Sequence, residues 1–319
     1  FFIWISGHIQ NREKDPGLNF VFRIFQNIFF WQKIPCRNVR YKRKLSVICK
    51  DFLLPLCYAD IQTGGNIEMN KILEIRNLSK SYGRRGYQTW VLRDISLDIF
   101  QGDFIAVMGP SGAGKTTLLN MLSTLDKPSR GEILLDGENI VEMKNKELSQ
   151  VRRDKIGFIF QEYNLLDNMT LQDNIALPLS LNGVKTGEIL KRVREIAATF
   201  GLESHLEKYP YQLSGGQKQR GASARALITN PRILFADEPT GALDSKSGRD
   251  LLCCLKGANE AGKATIVMVT HDPYCASYAK QVYFLKDGRI QCCLNRQESR
   301  KKFYDEIMTV LASMGGDQE

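Results

Sequence analysis

From residue 69 onward, short apolar runs alternate with helix-length amphipathic stretches. Three runs, Phe104–Met108, Ile233–Ala236 and Ile266–Val269, are continuously apolar, the pattern of strands buried on both faces of a parallel sheet. Another strand is expected at Ile72–Ile75. Residues 185–228 read mainly as helix, as in EILKRVREIAATFGL, and form a candidate helical lobe. Near the end of the chain, Phe303, Ile307, Val310, Leu311 and Met314 recur at helical spacing on one face. Such a helix packs on its own domain or meets a partner. The alternation predicts an α/β architecture around a mainly parallel sheet. Each of the three apolar runs is followed at once by polar or glycine residues, and the carboxyl edge of an open α/β sheet is where ligands bind.

Residues 1–68 lack this order. The stretch LNFVFRIFQNIFFW at 18–31 contains Arg23, Gln26 and Asn27, and is too short and too polar to span a bilayer. Its late position and the lack of a nearby small-residue cleavage site also fit a signal peptide poorly. Eight of the 16 phenylalanines fall in this segment, together with ten Lys/Arg against five Asp/Glu, so it holds +5 of the net +9 charge. Thr63 to Met69 can be back-translated as ACA-GGA-GGT-AAT-ATT-GAG-ATG, one of its synonymous codings, which holds a purine-rich run ahead of the Met codon, as a bacterial ribosome-binding site does. Met69 is therefore the expected start, with 1–68 an upstream extension. The competing expectation is a membrane-surface arm in which Lys42, Arg43 and Lys44 face an anionic leaflet.

Composition narrows the class further. At 319 residues the chain has room for one or two domains. With 43% hydrophobic and 25% charged residues it is an ordinary globular sequence, not a rod, a collagen or a disordered chain. None of the eight cysteines forms a C-x-x-C pair and there are three histidines, which argues against a zinc site and for reduced thiols.

The chemistry-bearing residues lie at the strand ends. Gly109, Pro110, Ser111, Gly112, Ala113, Gly114, Lys115, Thr116 and Thr117 fit G-x-x-x-x-G-K-[ST] between the strand FIAVM and the helical TLLNML. Glycines let backbone N–H groups converge on phosphate oxygens at a helix N-terminus. Lys115 is placed to reach the β- and γ-phosphates and Thr116 to ligate Mg²⁺. In ILFADE, Asp237 can hold Mg²⁺ through its shell and Glu238 can orient an attacking water; two surface acids at a strand–loop junction are the bland alternative. Ser214, Gly215, Gly216 and Gln217 precede a helical stretch with the S-x-x-Q spacing of a capping box. They are either a well-capped helix alone or a helix N-terminus that also receives an anion.

Taken in order, the phosphate loop, LSGGQ, ILFADE and a histidine after a strand resemble the ATP-binding cassette (ABC) ATPases over residues 70–290. The resemblance implies a cassette with a parallel core, an antiparallel β subdomain and a helical subdomain at about 162–228, within an ATPase domain of residues 69–295 followed by a helical tail of 296–319. It implies ATP and Mg²⁺ as cofactors and two ATPs sandwiched in a head-to-tail homodimer, with LSGGQ contacting the γ-phosphate held by the other subunit. Residue by residue, it makes Gln161 the glutamine that links Mg²⁺ and water to a transmembrane partner. Asp244 becomes the dimer-interface aspartate and His271 the histidine that contacts γ-phosphate. Tyr82 becomes the aromatic that stacks on adenine, although Tyr87 and Trp90 are close by and a core role for Tyr82 is the other reading, with GRRGYQTW taken as a long loop.

The segments FIFQEYNLLDNMT, LSGGQKQR and FADEPTGALDSKSG resemble cassettes of lipoprotein-release and macrolide-export systems. The tail RKKFYDEIMTVLASMGGD resembles bacitracin-type peptide-antibiotic exporter ATPases. The resemblance thus implies an ATP-hydrolysing subunit at the cytoplasmic face of the membrane, with a separate permease. Coupling to a sensor histidine kinase is an additional role. Nucleic acid is not an expected partner, because the paired cassettes, long coiled-coil insertions or zinc modules of such ABC relatives are missing.

Overall fold

In the computed structural model, the described residues are 70–84, 87–262 and 264–315. The expectations for residues 1–68 lie outside them.

Two sheets organise the chain. A six-stranded sheet has the order β10-β9-β3-β8-β7-β6, built from β3 (Phe104–Met108), β6 (Ile156–Ile159), β7 (Ile233–Asp237), β8 (Ile266–Val269), β9 (Gln281–Lys286) and β10 (Arg289–Asn295). All its pairings are parallel except β10 with β9. The three runs read as buried strands are its centre. Their residues alternate between two cores, as the two-residue strand period requires. Phe104, Ala106, Met108, Leu234, Ala236, Ile266 and Met268 face one core. Ile105, Val107, Ile233, Phe235, Val267 and Val269 face the other. With both faces covered, polar side chains are admitted only at the strand ends.

The second sheet is antiparallel, in the order β2-β1-β4-β5, from β1 (Lys71–Arg84), β2 (Tyr87–Phe100), β4 (Arg130–Leu135) and β5 (Glu138–Asn139). The strand expected at Ile72–Ile75 is the start of β1, which runs on to Arg84 and pairs with β2 through Tyr82↔Thr89 and Arg84↔Tyr87. Much of GRRGYQTW is therefore the end of a hairpin rather than a long loop. Ladder hydrogen bonds extend the strands past the point where apolar alternation fades.

The sheets carry eight helices among the described residues: α1 (Lys115–Leu122), α2 (Asn145–Asp154), α3 (Leu171–Leu181), α4 (Thr186–Phe200), α5 (Gly215–Leu227), α6 (Ser245–Gly262), α7 (Pro273–Ala276) and α8 (Arg300–Gly315). Thr170 caps α3 and Ser214 caps α5, each in a reciprocal capping box. Gly201, in left-handed conformation, stops α4. The helical stretch of 185–228 is thus two helices, α4 and α5, separated by an irregular segment that delivers Ser214 to the surface. Helix α8 sets Phe303 and Ile307 into the first core, with Val310, Leu311 and Met314 packed against it. That is the stripe predicted from spacing.

Candidate functional site

The site forms where β3, β7 and β8 end. After Met108 the chain turns sharply at Gly109, where a Cβ would collide with the Leu285 carbonyl. Gly114 caps α1 with φ 99°, a left-handed conformation that glycine adopts without steric cost. A Cβ there would lie 2.7 Å from Leu92 Cδ2. Lys115 is buried at 8% exposure, and its Nζ donates to the Gly109 and Pro110 carbonyl oxygens, both at 2.9 Å. The ammonium therefore stays inside the curl of the loop that it is expected to serve.

Opposite this loop, Thr116 Oγ1 lies 3.4 Å from Asp237 Oδ1. Burial raises the Asp237 carboxyl above its ordinary range and neighbouring Glu238 adds to this, while the Thr116 hydroxyl and Lys115 ammonium oppose it. A hydroxyl and a carboxylate side by side are hard oxygen donors. They fit Mg²⁺, which takes few protein ligands and completes its shell with phosphate oxygens and water.

Glu238 follows at the tip of β7 with φ 43°, left-handed and unusual for a residue with a side chain. Its N–H donates to Val269 O at 2.9 Å, and its carbonyl accepts from the Gly241 N–H at 3.0 Å, so the turn is fixed from both sides. The carboxylate is aimed at His271, whose Nδ1 is 3.0 Å from Glu238 Oε1. Gln161 reaches the same place from the end of β6: a Cβ on Gly241 would lie 3.3 Å from Gln161 Nε2 and 3.7 Å from Glu238 Oε2. Glu238, Thr240, Gly241, Thr270, His271, Asp272 and Pro273 line an open cleft of about 390 Å³.

Tyr82 is 45% exposed, so it is not a core residue. Its hydroxyl donates to Asp126 Oδ2 at 2.7 Å, and Lys80 Nζ lies 4.8 Å from its ring centroid. Burial and Asp126 push its phenol up, and Thr117 of the phosphate loop acts against them. The ring thus stands beside the end of the glycine loop, at Thr117.

Ser214, Gly215, Gly216 and Gln217 lie at the N-terminus of α5. Ser214 Oγ accepts from the Gln217 N–H at 3.3 Å, and Gln217 Oε1 accepts from the Ser214 N–H at 2.9 Å. Asp244 caps α6, accepting from the N–H groups of Lys246 and Ser247 at 3.0 Å each. These bonds hold its carboxyl below the ordinary range, the Ser247 backbone contributing most.

Two further neighbours, Gln219 and His205, have no counterpart among the residues expected from sequence, and a third, Tyr163, expected only as an apolar residue after Gln161, adjoins the glycine turn. Gln219 is fully buried on α5, and its Nε2 bridges the Phe160 and Pro239 carbonyls at 2.9 Å each, tying α5 to the ends of β6 and β7. Tyr163 places its hydroxyl 2.9 Å from where a Gly215 Cβ would sit. His205 Nε2 lies 2.6 Å from Gln217 Nε2. The available signal for Gln219 was a glutamine on the apolar side of α5; the other two carry no periodic signal.

The glycine loop around Lys115, the adjacent acids Asp237 and Glu238, His271 beside Glu238 and the capped glycine turn fit a nucleotide hydrolase of the ABC cassette class. The ABC transporter family profile matches residues 92–241. The bacitracin export ATP-binding protein of Halalkalibacterium halodurans is 49% identical over 248 residues, covering 77% of this chain and 98% of that protein. The chain belongs to the ABC transporter ATP-binding family and is an ATP-hydrolysing subunit of a transporter. The macrolide export ATP-binding/permease protein of Photorhabdus laumondii is 42% identical over 233 residues, covering 73% of this chain and 36% of that longer protein. The ATP-binding cassette MJ0796 has been solved as a dimer bound to ADP and Pi. It superposes with a TM-score of 0.66 at 39% identity, covering 72% of this chain and all of that one. No helix among the described residues is long and apolar enough to cross a membrane.

Proposed function

We propose that this chain powers export of, or resistance to, bacitracin-like peptide antibiotics, working as a homodimer on the cytoplasmic side of a separate permease. The observation that carries the reading is the 49% identity to a bacitracin export ATPase along 98% of that protein's length. The C-terminal helix α8 adds to it, since its sequence resembles the end of that group.

Each side chain has a task in hydrolysis. The backbone N–H groups of residues 111–114 cradle the phosphates, Gly109 and Pro110 shaping the loop before them, and Lys115 turns its ammonium from the loop carbonyls to the β- and γ-oxygens. Thr116, Asp237 and Gln161 hold Mg²⁺, which when bound neutralises phosphate charge. Glu238 orients the attacking water, and His271, 3.0 Å away, fixes the carboxylate and faces the γ-phosphate. Gly215 and Gly216 present N–H groups and Ser214 its hydroxyl to the γ-phosphate held by the other subunit, with Gln217 closing the turn behind them, and Asp244 also lies at that interface. Tyr82 stacks on adenine. The protein supplies position and charge rather than covalent chemistry.

Deleting the chain from its host should lower the bacitracin concentration that stops growth, and wild-type protein, but not Glu238→Gln, should restore it. Unchanged sensitivity to bacitracin-like peptides after deletion would overturn the substrate assignment while leaving the ATPase intact.

A further inference from the structure

The Ser214–Gln217 turn receives a bond from outside its own helix. His205 sits in a short helical turn (Glu203–His205) between α4 and α5. Its ring is held at both nitrogens, with Nδ1 2.7 Å from Ser204 Oγ and Nε2 2.6 Å from Gln217 Nε2. Gln217 Oε1 is already committed as the acceptor of the Ser214 N–H. The amide nitrogen therefore faces the ring, and an amide nitrogen only donates. His205 Nε2 must accept, which places the ring proton on Nδ1, donating to Ser204. Only neutral imidazole in this single tautomer satisfies all four groups.

We propose that His205 is a positioning residue for the glycine turn of α5: its unprotonated Nε2 holds the Gln217 amide in the orientation that closes the capping box, and protonation of the ring opens it. This rests on the reading that Ser214–Gln217 faces γ-phosphate across a dimer. An imidazolium presents N–H at both nitrogens. Gln217 Nε2 then meets a donor, and turning its amide to offer Oε1 to the ring strips the Ser214 N–H of its acceptor. The charged groups facing the ring are Lys208, on its own segment, and Arg220, on α5; both are cationic. Together with burial, the larger cause, they push the imidazole below its ordinary value of 6.5. The ring is neutral at neutral pH, and the turn loosens as pH falls below that ordinary value.

The test compares the ATPase pH profiles of wild-type chain, His205→Gln and His205→Arg, with Gln217→Ala alongside. Glutamine at 205 offers an oxygen at similar reach without titrating; arginine mimics the protonated ring at every pH. Between about pH 7.5 and about pH 5.5, wild type should lose about fivefold more kcat than His205→Gln, the scale of one lost helix cap. His205→Arg should show the low rate already at the upper pH, with a thermal midpoint close to that of His205→Gln. Superimposable wild-type and His205→Gln profiles, with Gln217→Ala impaired, would overturn the role of His205 alone. Full activity in Gln217→Ala would overturn both this inference and the reading of the turn.

Discussion

At the scale of single residues, the site holds one charge, that of Asp237, which the folded chain alone does not favour. Lys115 is buried against two carbonyls and Asp237 is partly buried beside a second acid. Because burial raises the Asp237 carboxyl above its ordinary value of 3.8, the folded chain holds that proton more tightly than the unfolded chain does. Stability of the nucleotide-free protein therefore increases as pH falls from above the folded value toward the ordinary one, and ionised Asp237 costs stability at neutral pH. Asp237→Asn should raise the thermal midpoint without nucleotide by about 2–4 °C, the effect of ~1 kcal/mol in a domain of this size. It should also abolish metal-dependent turnover. Calorimetry with and without Mg²⁺-ATP checks both halves. Lys115→Ala should weaken ATP binding by at least about tenfold, the loss of charge-assisted bonds to phosphate, measured by titration with labelled nucleotide.

At the scale of elements, the C-terminal helix has a dual attachment. Phe303 and Ile307 are buried in the core. The Arg300 guanidinium lies 4.2 Å from the Tyr278 ring centroid and 5.1 Å from that of Tyr274, the latter in α7, just after His271. Phe303→Ala should therefore cost ~3–5 kcal/mol and lower the thermal midpoint by roughly 10 °C, read by scanning calorimetry; an unchanged midpoint would mean that α8 is not part of the core. This helix, the three central strands and the phosphate loop were legible in the sequence because each rests on local periodicity or on a motif in its required context. The full length of β1 and β2 was not, because hairpin pairing carries them beyond their apolar residues. His205, Tyr163 and Gln219 were not legible as site neighbours either. Their partners are 12 to 59 residues away and are brought close only by tertiary packing. The strained backbone of Glu238 was likewise invisible; its acidic side chain was not.

At the scale of the whole molecule, the proposed function needs two contacts of this chain, one with a second copy and one with a permease. Beyond Gln161, Tyr163 and Met169 are partly covered and Leu165 packs on the core, whereas Leu166 is 41% exposed. A helix-in-groove contact uses such an apolar anchor. Leu166→Glu should preserve ATP binding and lose co-purification with the permease, whereas undiminished co-purification would move the docking surface elsewhere. In the proposed function, Glu238 orients the attacking water in a site completed by the glycine turn of a second copy. The most direct measurement is light scattering of purified Glu238→Gln with ATP, paired with its rate of phosphate release. The expected result is a stable ATP-dependent dimer with most turnover lost. A variant that stays monomeric with ATP, or that releases phosphate at the wild-type rate, would contradict it.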